Sequence, residues 1–535
     1  MNQPLKSSCY EDLLRELHAD IAADLGIDLR RESQKVCNVL RSSGLVAAIR
    51  WLELKLDPLV SHFQPLDHPE YSDLSRLFFD PEHRVPAWRA YAHARQLHAV
   101  FRKLEDVQCL QTPDEALAEF WMRQSEMVRS LTTAQMQLAA ELSNEIAYLI
   151  PDFPYKADDF PAPDIGPGAS YEKRPRSERI EFFCDPRFSF DQAEPEPMIR
   201  LSRACAVPKT WKRMRLIFVE PSSRMLVQKA LQGWIYTAAE RCPLGRYVNF
   251  TDQSAQHARL KRPGSASVDL SDASDWIDRR IVWLAMAKRP LLRSLLFGSR
   301  AVEDASGRKF ACYSTMGNAT TFPVMSLLLA AVCRVAESQA RARGAKPFTS
   351  GVFGDDIVCH EVVFGSIVCI LRDLGLKVNA AKSFVCQPFK EACGVDLYDQ
   401  HEVTPVKVKS LHTGTPSDWR RLVAYANALF TAGYWRAADV LVSEVLARWP
   451  KTSFGPVGEA DCLWSTTLQD FDGPWLRDYQ RRGAWAPHSL TVRVSRKSDT
   501  PAQLSMWLAH RRSAVDAAEF ERLGDRTHWY PASAS

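Results

Sequence analysis

The segment TSGVFGDDIVCHE, Thr349–Glu361, places two adjacent carboxylates between two strand-like runs. FTSGVF and IVCHEVVF are rich in β-branched and aromatic residues, which is the composition of β-strands. Gly354 followed by Asp355 is a tight-turn signal, because glycine adopts positive φ at little cost. The sequence therefore predicts a β-hairpin with Asp355 and Asp356 at its tip. Aspartate is common in solvated turns, so the pair alone does not indicate a site.

The composition indicates a large folded protein but does not select a class of partner. The chain has 535 residues, enough for two to four domain-sized units. Hydrophobic residues make up 46% of it, so a packed core is expected. The net charge is only +4, from 68 basic and 64 acidic residues. The local distribution of charge must therefore decide whether a nucleic acid is a partner.

Cysteine and histidine spacing argues against a zinc site. The chain contains 13 cysteines but no C-x-x-C pair, and its 13 histidines show no H-E-x-x-H or comparable spacing. The odd cysteine count and the lack of a secretory signal favour a reducing cytosol. The longest apolar run, FPVMSLLLAAVC, is interrupted by Pro323 and is predicted to be too short to span a bilayer. We expect a soluble intracellular protein with no membrane partner.

The pattern along the chain predicts an α+β protein. Residues 1–150 repeat apolar positions every three or four residues and are predicted to be helical. A Pro-, Gly- and Asp-rich linker follows at about 151–175. Residues 201–262 form a basic part, and 263–410 alternate strand-like with helical runs. From 411 the pattern is helical again, before a Trp-, Arg- and Pro-rich tail.

A third carboxylate stands upstream at a predicted strand end. SASVDL, Ser265–Leu270, is strand-like and includes Asp269, and a helical pattern starts at about Ser274. Asp272 or Ser274 is expected to cap that helix. Asp269 precedes any capping position, so a charge there calls for a metal ion or another partner. Carboxylate oxygens are the ligands that Mg²⁺ prefers. Further on, Gly317, Asn318 and Thr321 precede a strongly apolar helix, which by itself is an ordinary helix start.

Four cations precede a strand-like run in PKTWKRMRLIFVEP. They are Lys209, Lys212, Arg213 and Arg215. Strand alternation predicts that Arg213 and Arg215 share one face. Arginine binds phosphate through two parallel hydrogen bonds, so these residues suit a triphosphate. A solvated strand edge protected by charges is the alternative, and without the carboxylates it is the better interpretation.

In this order, the three motifs DLSDASD, STMGNATTF and FGDDIV resemble motifs A, B and C of viral RNA-dependent RNA polymerases, and most closely the replicase β subunits of the single-stranded RNA phages, the leviviruses. AVPKTWKRMRLIFVEP is similar to the basic fingers motif of those proteins. LGLKVNAAKSF and FKEACGVDLY are similar to their motif D and E region. The resemblance extends from about Val207 to about Val408.

The resemblance implies a right-hand polymerase with an antiparallel-sheet palm and helical fingers and thumb. On that reading residues 1–200 form an N-terminal helical region and part of the fingers, and 201–262 the basic fingers segment. Residues 263–410 form the palm, with a fingers insertion at about 285–312, and 411–535 the thumb and C-terminal region. The implied reaction is RNA-directed RNA synthesis with two Mg²⁺ ions, for which Mn²⁺ substitutes.

The resemblance also implies roles for individual residues. Asp269, Asp355 and Asp356 are the expected catalytic metal ligands. Lys382 is the expected general acid toward pyrophosphate, with a surface lysine as the alternative. The expected nucleotide- and RNA-binding residues are Lys209, Lys212, Arg213, Arg215, Ser274, Gly317, Asn318 and Thr321. Many RNA polymerases have a second aspartate where this chain has Ser274, followed by Asp275, so the residue that selects the ribose 2′-hydroxyl stays open. Cys393 and Gly394 are expected in a short turn near the primer terminus, and His360 as a half-exposed strand residue.

The expected partners are a single-stranded RNA template and nucleoside triphosphates. By resemblance alone, the host elongation factors Tu and Ts and a host ribosomal protein join them, in the cytoplasm of a bacterial host. Two alternatives stay open at this point. A reverse transcriptase shares the palm but usually has an aromatic residue, one further residue and then Asp-Asp. The second alternative is a non-catalytic RNA-binding protein built on a polymerase fold. Loss of catalysis would be expected to remove an aspartate or the basic segment, and this chain retains both.

Overall fold

The computed structural model describes residues 7–62, 78, 86–154, 168–173, 201–452, 454–455 and 462–464. Before the first strand the described chain forms helices α1 Ser7–Leu25, α2 Arg30–Ser43, α3 Leu45–His62, α4 Ala87–Ala99, α5 Pro113–Glu126 and α6 Thr133–Leu149. Thr112 and Thr132 begin α5 and α6 with capping boxes, in which each threonine hydroxyl accepts a backbone N–H and the third helical residue bonds back. The helical prediction for residues 1–150 is confirmed over the described positions. Most of the predicted linker and most of the tail lie outside the described residues.

The middle of the chain mixes strands and helices, as the α+β prediction requires. In order it forms β1 Leu201–Pro208, β2 Met214–Val219, α7 Ser222–Arg241, α8 Ser254–Leu260, β3 Ser265–Val268, α9 Ala273–Trp276, α10 Arg279–Ala285, α11 Pro290–Ser299, β4 Glu303–Asp304, α12 Thr321–Ala342, β5 Gly351–Phe353, β6 Asp356–His360 and α13 Glu361–Asp373. It then forms β7 Phe389–Ala392, β8 Val395–Tyr398, β9 His401–Glu402, α14 Pro416–Thr431, α15 Trp435–Arg448, β10 Phe454–Gly455 and β11 Leu463–Trp464.

The sheet that contains the predicted hairpin has three antiparallel strands in the order β3-β6-β5. Strand β3 is buried along its whole length, and strand β6 is buried at its three middle residues. The hairpin prediction is therefore confirmed. The predicted strand at Ser265–Leu270 is shorter than expected, since it ends at Val268 and Asp269 lies just beyond it. Two other sheets have the orders β2-β1-β4 and β7-β8-β9, and β10 pairs with β11.

Helix α12 is the main helix of the central core. Its 22 residues would suffice in length and composition to cross a membrane, but 83% of its most apolar window is buried inside the protein. The prediction that this apolar run is too short and is broken at Pro323 is wrong. Pro323 lies in the first turn of the helix, where its missing N–H would have no intrahelical partner anyway, so the helix runs through it. Burial explains the apolar composition without a bilayer.

Most of the described helices belong to one of two large cores, and smaller clusters include Phe120 of α5 and Leu260 of α8. The central core combines the β3-β6-β5 sheet with α12, α13, α7 and α6, and includes Leu142, Ile146 and Leu329. The second core joins α1–α4 to α14 and α15, and is centred on residues such as Leu13 and Trp419. The first and last described helices thus pack together, and the carboxylate hairpin belongs to the central core.

Candidate active site

The three carboxylates converge at one end of the β3-β6-β5 sheet. Val268 of β3 pairs with Ile357 of β6, and Phe353 of β5 pairs with Asp356. Because β3 and β6 are antiparallel, the end of β3 lies beside the start of β6. Asp269 therefore emerges next to Asp356, with Asp355 in the turn of the hairpin. We call these three residues the acidic triad.

The turn of the hairpin requires glycine and is fixed by helix α12. Gly354 has φ +63°, and a Cβ atom there would lie 2.8 Å from the ring of Phe322. Its N–H donates to Ser326 Oγ over 3.1 Å, and Ser326 Oγ donates to the Phe322 carbonyl over 2.9 Å. Ser326 is fully buried. The core helix thus holds the backbone that presents Asp355.

Asp269 is held by the segment after α13. Its N–H donates to Ser383 Oγ over 3.1 Å, and its Oδ2 accepts from Asn379 Nδ2 over 2.8 Å. The backbone N–H of Asn379 donates to the Asp269 carbonyl over 2.9 Å. Asn379 therefore donates hydrogen bonds both to the main-chain carbonyl and to the carboxylate of Asp269. Sequence reasoning missed Asn379, although it lies in the NAAKSF segment.

Asp356 is held by the turn between β7 and β8. Cys393 has φ +50° and Gly394 φ +79°, which makes a tight two-residue turn of the kind predicted for these residues. The N–H of Cys393 donates to Asp356 Oδ2 over 3.0 Å. Burial, followed by the charges of Asp356 and Asp355, raises the pKa of the Cys393 thiol, so the thiol stays protonated beside the triad.

Burial and the neighbouring carboxylates raise the pKa values of Asp356 and Asp269. Burial, and then the charges of Asp355 and Asp269, raise the pKa of Asp356 to about 7. Burial is also the main cause of the raised pKa of Asp269, and the Lys382 ammonium opposes that increase. Crowded carboxylates with raised pKa values are the donor set that a hard divalent cation stabilises. The triad fits Mg²⁺ in this chemical sense. In the part of the chain that the structure describes, however, no three Asp, Glu, His or Cys side chains form a preassembled metal cluster.

A cavity of about 640 Å³ opens beside the triad. It brings together almost every residue that the sequence analysis selected, namely Lys209, Lys212, Arg213, Arg215, Asp269, Ser274, Gly317, Asn318, Thr321, Asp355 and Lys382. Among the residues predicted to bind metal, nucleotide or RNA, Asp356 alone is not a lining residue. The cavity is also lined by Arg102, Arg123 and Asn379, which sequence reasoning missed.

The basic segment forms the β1–β2 hairpin and its turn. The N–H groups of Lys209 and Thr210 both donate to the Arg213 carbonyl, over 3.0 and 3.1 Å. The prediction that Arg213 and Arg215 alternate along one strand is wrong, because β2 begins at Met214 and Arg213 belongs to the turn. All four cations are nevertheless exposed at the cavity wall.

One of these cations is already engaged. Lys212 forms an ion pair with Glu53 of α3, which is 6% exposed, and lies 4.7 Å from the ring centre of the buried Trp211. Lys209, Arg213 and Arg215 make no ion pair within the described ranges. A phosphate in the cavity would therefore contact three cations that have no counter-ion among the described residues, and a fourth, Lys212, that is paired with Glu53.

The loop before α12 is packed against β2. Gly317 has φ +115°, and a Cβ there would collide with the backbone of Phe218. The Phe218 N–H donates to the Met316 carbonyl over 2.8 Å. The Asn318 amide is engaged at both ends, because its Nδ2 donates to buried Glu220 over 2.9 Å and its Oδ1 accepts from the Thr320 N–H over 2.8 Å. The hydroxyl of Thr321 donates to the Thr315 carbonyl over 2.9 Å.

The Glu220 carboxyl is the centre of that loop's polar network. Besides Asn318, it accepts from Gln228 Nε2 over 2.7 Å and from the Ala301 N–H over 3.0 Å. Burial raises the pKa of Glu220, and these hydrogen bonds oppose the increase. In this structure Asn318 therefore positions the loop.

Ser274 and Asp275 line the cavity together with Arg123 of α5. Arg123 Nη2 lies 3.1 Å from Asp275 Oδ2, and Ser274 Oγ donates to Asp275 Oδ1 over 3.3 Å. Burial raises the pKa of Asp275 to about 6, although Arg123 opposes the increase. The expected cap by Asp272 or Ser274 is wrong. Neither side chain caps a backbone N–H, and Asp278 caps α10 instead.

Lys382 and His360 complete the selected positions. Lys382 ends a 3-10 turn at Ala380–Lys382, lines the cavity and acts electrostatically on Asp269. His360 is the last residue of β6 and half-buried, as predicted. Its Nδ1 accepts from the Val362 N–H over 3.3 Å at the start of α13, which gives it a capping role.

Comparison with known proteins identifies the region that holds this site. Residues 184–422 match the family "RNA replicase, beta-chain". The RNA-directed RNA polymerase beta chain of Escherichia phage MS2 is 32% identical over 38% of this chain and 37% of that protein. The corresponding beta subunit of Qbeta virus (strain MX1) is 30% identical over 44% of this chain and 39% of that protein. The chain thus spans less than two-fifths of the length of either relative in these alignments.

Among solved structures, the RNA-dependent RNA polymerase of a human picorbirnavirus superposes with a TM-score of 0.43 and 11% identity, over 65% of this chain and 76% of that one. The family match is the more specific finding, since residues 184–422 include the acidic triad and the basic hairpin. Residues 184–422, which contain the whole acidic triad, therefore match the RNA replicase beta-chain family.

Proposed function

We propose that the chain is an RNA-directed RNA polymerase, the catalytic subunit of a viral replicase that copies single-stranded phage RNA from nucleoside triphosphates. One observation carries the proposal. A single cavity is lined by two carboxylates of the triad, the basic hairpin and the loop before α12, and all of them lie within the region that matches the replicase beta-chain family. This combination suits a substrate that carries several phosphates at a reactive centre made of carboxylates.

The proposed architecture is a right-hand polymerase. The antiparallel sheet β3-β6-β5 with α12 and α13 is assigned as the palm, since it carries the triad. The β1–β2 hairpin and the adjacent helices are assigned to the fingers, and α14 and α15 to the thumb. The extensive core that α14 and α15 share with α1–α4 supports a closed arrangement in which the first and last described helices stabilise each other.

Asp269, Asp355 and Asp356 would hold two Mg²⁺ ions, with Mn²⁺ as a substitute. When bound, such ions activate the attacking hydroxyl and neutralise the charge of the leaving phosphates. The chain prepares this site without the ions. Asn379 and Ser383 orient Asp269, Cys393 orients Asp356, and Ser326 fixes the turn that carries Asp355.

The cations of the cavity would bind the triphosphate. Lys209, Arg213 and Arg215 line the wall at the β1–β2 turn, and the charge of Lys382 acts on Asp269 at the triad. A lysine that lines the cavity and is close enough to affect Asp269 suits protonation of the leaving pyrophosphate. The Ser274–Asp275–Arg123 group supplies further polar atoms to the cavity, and these would contact a ribose hydroxyl.

The resemblance to phage replicases extends the proposal to partners. Host elongation factors Tu and Ts and a host ribosomal protein would join the chain in the cytoplasm of a bacterial host. The direct substrates, a single-stranded RNA template and ribonucleotides, are tested without them first.

The test is incorporation of labelled ribonucleotides on a C-rich single-stranded RNA template with Mg²⁺ or Mn²⁺. Asp355→Asn should reduce incorporation by about 10³-fold or more, because a metal-site carboxylate contributes several kcal/mol. Asp373→Asn, at the exposed end of α13, is the matched control and should keep full activity. Activity that survives Asp355→Asn would remove the site assignment. Incorporation of deoxyribonucleotides in place of ribonucleotides would indicate a reverse transcriptase.

A further inference from the structure

Five cations form a continuous strip that begins at the cavity. We define the basic strip as Arg102, Lys103, Lys382, Lys407 and Lys409. Lys103 interacts electrostatically with Lys407, Lys409 and Lys382, and Glu391 interacts with Lys382, Lys407 and Arg102. The strip therefore joins parts of the chain that are about 300 residues apart in sequence.

Backbone hydrogen bonds hold these distant parts together. The Val408 N–H donates to the Val100 carbonyl over 2.8 Å, and the Glu105 N–H donates to the Lys409 carbonyl over 2.6 Å. Gln96 of α4 binds Val406 twice, with its side-chain amide as donor over 3.0 Å and as acceptor over 2.7 Å. The segment before α14 is thus fixed along the end of α4. These backbone hydrogen bonds fix the positions of the residues that carry the strip cations, so the cations lie near each other because of the fold.

Glu391 offsets part of the strip's charge, but it forms its ion pair with Arg95 and not with a strip residue. Glu391 and Asp396 both face buried Arg95, whose Nη2 lies 3.3 and 2.7 Å from their oxygens. None of the five strip cations has a carboxylate oxygen within 4.0 Å in the described part of the chain. Partial burial of the Lys103 ammonium group, and then repulsion from Lys407, Lys409 and Lys382, lower the pKa of Lys103. Such an arrangement is costly unless an anion binds to it.

The strip connects the reactive cavity with the outer surface. Arg102 and Lys382 line the cavity, whereas Lys103 and Lys409 are exposed and are not among its lining residues. A single nucleoside triphosphate at the triad would engage the cavity end alone. An anion with regularly repeated charges would engage the whole strip.

We propose that the basic strip binds the phosphate backbone of an RNA strand as it passes between the cavity and the surface. The identification of the strand as RNA rests on the proposed function. The strip binds the strand through its charges alone, so it contributes affinity that depends on salt and not on base sequence.

The test uses the full chain with three outer cations neutralised, Lys103→Gln, Lys407→Gln and Lys409→Gln together. Affinity for a fluorescent single-stranded RNA is measured by anisotropy over a range of salt concentrations, without nucleotides. Loss of three phosphate contacts should reduce the slope of log K against log salt by about 2 and the affinity at 0.1 M salt on the order of 100-fold. Lys288→Gln, Lys309→Gln and Lys346→Gln together form the matched control. These lysines are exposed and do not line the cavity, and their substitution removes the same net charge as the three strip substitutions.

Equal RNA affinities and salt slopes in the two triple variants would overturn the inference. An increased KM for nucleotides with unchanged RNA affinity would also overturn it, because it would assign the strip to the triphosphate. Loss of affinity for a preformed RNA duplex as well as for the single strand would support it and place the product on the strip. Thermal unfolding checks the fold, and Lys409→Gln alone replaces the triple variant if that variant is unstable.

Because binding is measured without synthesis, this result and the proposed function fail separately. If the chain binds RNA through the strip but incorporates no ribonucleotide, the proposed role of the strip stands and the proposed polymerase activity is wrong. If the chain is active and the triple variant binds RNA as well as the unmodified chain, the polymerase activity stands and the proposed role of the strip is wrong. The Asp355→Asn variant, measured in the same binding assay, should bind RNA like the unmodified chain.

Discussion

Gly317 gives the sharpest test of how the loop before α12 is positioned. A side chain at φ +115° adopts a backbone conformation that L residues rarely occupy, at about 1–3 kcal/mol. A Cβ there would also lie 3.0 Å from Ile217 Cγ2 and 3.2 Å from the carbonyl carbon of Phe218, with the carbonyl oxygen closer still. Relief of that collision must separate the loop from β2. The hydrogen bond from Phe218 to Met316 is then lost, at about 1 kcal/mol.

Gly317→Ala should therefore destabilise the fold by about 2–4 kcal/mol. The loop carries Asn318 and Thr321 at the cavity wall, and a displacement of about 1 Å can cost on the order of 100-fold in rate. The matched control is Gly298→Ala in helix α11, where a Cβ would have no heavy atom within 4 Å. Alanine is favoured over glycine inside a helix, so this control should be neutral or stabilising by about 0.5–1 kcal/mol.

The assay combines thermal unfolding of both variants with ribonucleotide incorporation at a temperature where both are folded. We expect a midpoint several degrees lower and strongly reduced incorporation for Gly317→Ala, with neither change in Gly298→Ala. If Gly317→Ala matched the control in both measurements, the loop would not be held by its close approach to β2, and the account of this cavity wall would be wrong.

Three further predictions concern single contacts. The pKa of Asp275 is raised to about 6 from an ordinary value of 3.8, so the stability it contributes at low pH is lost as the pH rises through about 6. The stability of Asp275→Asn relative to the unmodified chain should thus rise by up to about 3 kcal/mol between pH 4 and 7, and parallel denaturation curves would contradict this. Asn379→Ala should raise by about 10- to 100-fold the Mg²⁺ concentration that gives half-maximal activity and half-maximal thermal stabilisation. Asn38→Ala, at an exposed position of α2, should leave that concentration unchanged. Ser326→Ala leaves the buried N–H of Gly354 without its acceptor and should cost about 1–3 kcal/mol in unfolding free energy, whereas Ser366→Ala on α13 should cost almost nothing.

Local patterns predicted the parts of the site that local chemistry determines. The hairpin at Gly354 follows from a glycine that accepts positive φ, and the structure has it. The turn at Cys393 and Gly394, expected from the family resemblance, is also present. Asp269 was selected because it is a charged residue at the end of an apolar, strand-like run, and it lies directly after the last residue of β3. The roles of these residues in metal binding stay predictions.

Contacts between distant segments were not predictable in this way. Arg123 reaches Asp275 from α5, about 150 residues upstream, and nothing in either segment indicates the other. Glu220 takes the amide of Asn318, which the motif pattern had assigned to nucleotide binding. The helix that contains Pro323 continues because tertiary burial stabilises its apolar surface, a term that local propensity does not include.

The second core has a consequence for synthesis of the chain. Asp20 of α1 accepts the N–H groups of Arg436 and Ala437 at the start of α15, and His93 bonds with Tyr434 over 3.0 Å. Ribosomes add about 5–20 residues per second, so α1–α4 emerge tens of seconds before the helices that complete their core. During that interval their apolar surfaces lack their final partners. Helices α1–α4 therefore depend on protection from aggregation during translation, and their final packing requires that synthesis has passed the end of α15 at Arg448.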